Sequence, residues 1–135
     1  MREYMARLGE FAFSIDTAAF QEMERISGYK WASVERIGRA PGLQYTGEES
    51  EKITLSGVIY PTFRGGLGQI EALRQQAGTK KPLPFIYSSE QAGQYLGQWC
   101  IEQIRETRRI FFSNGAPKKI EFSLSLVKYG EDTKR

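Results

Sequence analysis

Histidine, the side chain that most readily moves protons near neutral pH, is missing from this 135-residue sequence, and cysteine occurs once, at Cys100. Without an imidazole there is no Ser-His-Asp triad and no histidine metal ligand. A single thiol builds neither an internal disulfide nor a thiolate zinc cluster. Cys100, on an alternating segment with no histidine to activate it, reads as an inert, half-buried side chain. The acids Glu48, Glu49 and Glu51 sit in a polar run where water equalises them, so none acquires the raised pKa of a general acid. Their spacing also lacks the EF-hand pattern. These residue types predict no enzyme, no metal and no cofactor.

Two further groups can contact anions. Gly65-Gly66-Leu67-Gly68 precedes a helical pattern, where free amides attract phosphate. It lacks the lysine followed by Ser or Thr of a nucleotide loop, so it reads as a strand-to-helix connection. Arg105, Arg108 and Arg109 face Lys118 and Lys119 across the Asn114-Gly115 turn, with Phe111 and Phe112 alongside. Basic and aromatic residues interleaved in this way bind single-stranded nucleic acid. Glu102, Glu106 and Glu121 dilute the field, and a hairpin of mixed charge is more often solvated surface or a protein interface. Arg105, Arg108, Arg109, Asn114, Lys118 and Lys119 are therefore candidate subunit-interface residues.

The elements that must position these groups follow from periodicity. Phe11, Phe13 and Ile15 alternate with small residues as a strand. Asp16-Thr17 is placed to cap a short turn or helix carrying Phe20, Met23 and Ile26 on one side. Tyr29–Ile37 and Leu43–Thr46 read as strands around a glycine-rich turn, and 47–52 as a solvated loop or hairpin tip. Ile53, Leu55 and Ile59 define a strand in which Gly57 occupies an apolar position, the mark of a bulge or a close backbone approach. Tyr60-Pro61 ends it. Leu67, Ile70, Leu73, Arg74 and Ala77 follow helical spacing, with Gly78 as a left-handed stop.

Leu83–Tyr87 is a short strand, and Tyr95–Ile104 alternates with Tyr95, Gly97, Trp99 and Ile101 on one face. Residues 105–112 continue that strand or begin its partner. Asn114-Gly115 is the strongest turn signal, and Ile120, Phe122, Leu124 and Leu126 form the cleanest alternation of all. One helix among many strands predicts an α+β, mainly β domain over 1–128, an antiparallel sandwich or barrel with one flanking helix. Residues 129–135 read as a charged, fraying tail.

Net charge is +3, which decides little about partners. No apolar run reaches a membrane span, and the charged N-terminus does not fit a signal peptide, so a soluble intracellular protein is expected. Trp31, Trp99, Tyr45, Tyr60, Tyr87 and Tyr95 fill a core or anchor an interface with equal merit on composition.

One ordered set of segments points further. Leu8–Ser14, Tyr29-Lys30-Trp31, Ile53–Pro61, Gly65-Gly66 and Leu73-Arg74 come first. Gly97–Ile101, Glu106-Thr107-Arg108, Phe111–Gly115 and Lys118–Phe122 follow them. From about Leu8 to Lys128 this order resembles the GpU family of tail-assembly proteins from contractile-tailed phages and their prophage relatives. The resemblance implies a non-enzymatic virion protein with a fold similar to tail-tube subunits. It implies self-association into a six-fold ring, contacts with tube or baseplate proteins, and a place in the host cytoplasm during assembly and then in the virion tail. The tube-baseplate junction is favoured over the head-proximal end. The alternative is a small β-barrel that binds single-stranded nucleic acid.

Overall fold

In chain order the elements are β1 (Ala6–Leu8), β2 (Phe11–Phe13), β3 (Phe20–Ile26), β4 (Tyr29–Val34), β5 (Gly42–Glu48), β6 (Lys52–Ile59), α1 (Gln69–Gly78), β7 (Leu83–Ser88), β8 (Gly93–Phe111) and β9 (Pro117–Lys128). The computed structural model describes residues 5–14, 18–61, 68–88 and 93–130. The Asp16-Thr17 cap, the Gly65-Gly66-Leu67 stretch and most of the charged tail lie outside the described residues. Seven strands form one antiparallel sheet in the order β2-β1-β7-β8-β9-β6-β3. The sheet curls into a half-barrel. Ile70 and Leu73 of α1 join its inner face, where Phe13, Phe85, Trp99, Ile120 and Leu124 are fully buried. The expected mainly β domain with one flanking helix is what forms, built as one curled sheet.

The alternation at β9 carries the core. Ile120, Phe122, Leu124 and Leu126 point inward, and Ser123 and Ser125 point out. Antiparallel pairing sets Leu124 opposite Leu55 on one side and Ile104 on the other. The Asn114-Gly115 turn closes β8 onto β9: Phe112 and Gly115 amides donate to Ala116 and Phe112 carbonyls, and Gly115 takes φ of 93°. The residues from Arg105 to Phe111 continue β8 instead of starting a partner strand.

Gly57 shows why that position is glycine. A Cβ there would collide with the Ala19 carbonyl, lie 2.8 Å from Phe20 Cα and 3.0 Å from Phe122 Cζ. Two of those neighbours are backbone, so they have no rotamer in which to retreat. Gly57→Val should lower stability by about 3 kcal/mol, read as a reduced urea midpoint.

Three local expectations need correction, two through bulges. Phe20–Ile26 is strand β3, not a helix. Its pairing with β6 slips between Phe20 and Glu22, so Phe20 opposite Gly57 and Met23 opposite Leu55 share one face. The extra residue imitates helical spacing. Tyr95 does not share the Trp99 face either. The pairing of β7 with β8 slips beside Leu96, leaving Tyr95 60% exposed while Leu96 packs on the core. Gly78 is the last helical residue and not the left-handed stop. Thr79 bonds back to the Gln76 carbonyl through its hydroxyl, and Lys80 takes the positive φ of 59°.

Candidate assembly interface

The feature that reaches farthest from the core is a ribbon. β3 and β4 run on as one line of chain, β5 and β6 as the other, so Phe20↔Gly57 through Ile26↔Lys52 continues into Tyr29↔Glu48 through Val34↔Gly42. Only the inner half belongs to the main sheet. The outer half, β4 with β5, is a separate two-stranded sheet. At 3.3–3.4 Å per residue, its six-residue strand extends roughly 20 Å.

Every residue of β4 is exposed, and so are Leu43 and Tyr45 of β5. Tyr29, Trp31, Leu43 and Tyr45 thus present large apolar surface on an arm with solvent on both faces. The Trp31 and Tyr45 rings meet edge to face at 5.1 Å, the arm's own stabilising contact. A two-stranded hairpin is marginal in water without a third element. Reading Trp31 and Tyr45 as core or interface was open in the sequence; exposure assigns them to the surface, whereas Trp99 is core.

The root of the arm is clasped by charge. Glu51 accepts from Arg25 Nε of β3 at 2.9 Å and from the Ser27 hydroxyl at 2.6 Å. Lys128 Nζ at the end of β9 lies 3.6 Å away. The Arg25 and Ser27 hydrogen bonds hold this carboxyl below the usual carboxylate range. Glu51 is therefore not the freely hydrated acid that its neighbours suggested. Alongside lies an open cleft of about 550 Å³, lined by Glu48, Glu49, Tyr95, Gln98 and Tyr129 among others. The Tyr129 amide donates to the Gln98 carbonyl, so the expected tail begins as part of this wall.

The basic hairpin is divided between two faces. A register slip between Ile101 and Gln103 shifts β8, so Ile104, Glu106 and Arg108 lie opposite inward-facing Leu124, Phe122 and Ile120. Arg105, Thr107 and Arg109 lie opposite Ser123, Glu121 and Lys119 on the outer face. Arg109 Nε donates to Glu121 at 3.0 Å, and Lys119 lies 3.6 Å from the same carboxylate. Lys118 sits 4.7 Å over the Phe112 ring. Asn114 Oδ1 accepts from the Ala116 amide and so serves the turn. Among the described residues Arg105 has no ion pair. The six candidates share a hairpin without forming one positive patch.

Glu106 joins that hairpin to the helix. It accepts from Arg74 Nη2 of α1 at 2.8 Å and from Arg108 Nε at 2.7 Å. Burial opposes its ionisation, but the Arg108 and Arg74 bonds outweigh that and leave its pKa below the usual range. Because the folded pKa is depressed, the stabilisation is complete above the unfolded pKa and disappears as pH falls through the folded one. Glu106→Gln should cost about 1 kcal/mol at neutral pH, the partly exposed arginines limiting the loss. Its stability should also fall less than the wild type's below about pH 4, as urea titrations would show.

Ile110 carries φ of 56° near the tip of β8 and is 61% exposed. A β-branched residue is strained there, and no burial compensates it. Ile110→Gly should raise the urea midpoint, by about 1 kcal/mol of stability.

A curled antiparallel sheet with one helix and an aromatic arm is an architecture shared with solved tail particles. A solved chain of the gene transfer agent virion is similar over 95% of this chain and 92% of its own, at 16% identity and a TM-score of 0.62. A chain from the tail of an empty gene transfer agent particle, determined with C6 symmetry, covers the same shares at 14% identity and 0.60. The profile described as Phage P2 GpU matches residues 9–131, and the chain belongs to that family of phage tail proteins. A probable tape measure protein of Halomonas phage phiHAP-1 is 26% identical over 133 residues. The chain covers 98% of itself in that match but spans only 15% of the relative's length.

Proposed function

We propose that copies of this chain close into a six-fold ring at one end of the tail tube, at the tube-baseplate junction, and act in tail assembly without catalysis. The observation that carries this reading is the arm, whose aromatic residues Tyr29, Trp31 and Tyr45 stay exposed to solvent. An open half-barrel bounded by two unlike edges, β2 and β3, suits head-to-tail association, which closes into a ring. The C6 symmetry reported for the similar gene transfer agent tail supports the ring number. In this reading the chain assembles in the host cytoplasm and is then incorporated in the virion tail.

In this reading Arg105, Arg108, Arg109, Asn114, Lys118 and Lys119 lie at the subunit interface. Arg105 pairs there with acids such as Glu22 or Glu24 of a neighbour's β3 edge. The nucleic-acid alternative loses ground because Glu106 and Glu121 already engage Arg108 and Arg109. Light scattering over a concentration series at low and high salt tests the proposal. A species of about 92 kDa, six copies of 15.4 kDa, is expected. A monomer throughout, with salt-sensitive binding to single-stranded DNA, would favour the alternative.

A further inference from the structure

The tip and the root of the arm differ in chemistry. At the tip, Gly38 turns the chain with φ of 72°, and Ile37 beside it is 101% exposed. Arg36 folds back to its own turn, its Nε bonding the Ala40 carbonyl. Arg39 has no ion pair among the described residues, and with Arg36 it outweighs Glu35, the one acid there. The root is the reverse. Its cleft carries Glu48 and Glu49, neither in an ion pair among the described residues, and Glu51 already engages Arg25 and Lys128. The exposed Tyr95 and Tyr129 rings supply its apolar walls.

A basic, apolar knob and an acidic, aromatic-walled cleft are complementary. They sit at opposite ends of one arm about 20 Å long, so one copy cannot join its own. We propose that the arm tip of one subunit seats in the arm-root cleft of the next, with Ile37 between Tyr95 and Tyr129 and Arg39 against Glu48 and Glu49. The occupant is a second copy of this chain. A knob and a cleft on different parts of the surface make a heterologous contact, the kind that generates rings. The inference rests on the ring reading and names the contact that would build it.

Two measurements on the full chain separate the inference from that reading. In a Cys100→Ser background, Ile37→Cys combined with Tyr129→Cys should give a disulfide-linked ladder on mild oxidation, since bridging needs Cα atoms within about 7 Å. In light scattering, Arg39→Glu and Glu48→Lys should each raise the concentration for half-assembly by roughly three- to tenfold. The double reversal should recover most of that loss. Rings that form without the ladder or the charge rescue would overturn the docking and leave the ring intact. Sensitivity at Glu48 alone would overturn it as well, since the cleft would then meet some part of the neighbour other than the arm tip. A wild-type chain monomeric at every concentration would overturn both.

Discussion

Aspartate in place of Ile120 should leave no folded chain. Ile120 has no exposed surface, and it lies opposite Ile59 on one side and Arg108 on the other. Removing the branched side chain forfeits roughly 2–5 kcal/mol of packing by comparison with other core truncations. Placing a carboxyl in the hole adds desolvation of an ion, or the cost of protonating it at neutral pH. Native domains hold only about 5–15 kcal/mol in total, so the sum consumes most of the available stability. Circular dichroism and urea unfolding of Ile120→Asp should show a chain without a cooperative transition. A folded variant that merely failed to assemble would move the Ile120 face from core to interface.

Trp31→Ala should give the opposite pattern. Trp31 is 57% exposed on an arm whose loss leaves the buried cluster untouched, so the melting transition should move by only a few degrees. In the ring reading, however, Trp31 and its partner Tyr45 are the arm's largest contact surface. Buried tryptophans at interfaces commonly contribute 2 kcal/mol or more. The concentration for half-assembly should therefore rise about thirtyfold, measured by the same light scattering series. Unchanged assembly would remove the arm from the interface. Together the two variants separate folding from association, and the exposure of the residues predicts which suffers which loss.

The sequence by itself determined the sheet-building strands and the class of protein. Period-two alternation at β6 and β9, the Asn114-Gly115 turn and the helical spacing of Ile70 and Leu73 are local signals, and local backbone geometry obeys them. The ordered segments that resemble the GpU family run through the same strands, and the family match over 9–131 covers them. Gly57 was legible for a related reason, since an apolar position without a side chain demands close contact.

Only the tertiary structure decided the bulges, the faces and the arm. One extra residue at Glu102 sends Arg108 inward and Arg105 outward, and no alternation pattern records where a partner strand will slip. The same cause made β3 look helical. Trp31 and Trp99 carry identical side chains on neighbouring strand patterns, yet one is 57% exposed and the other 0%. What separates them is whether a second layer lies across the strand, and that depends on chain brought from elsewhere in the sequence, not on the local pattern. Glu51 differs from Glu48 and Glu49 for that reason too: Arg25 and Ser27 reach it when β3 pairs with β6, and Lys128 when β9 does.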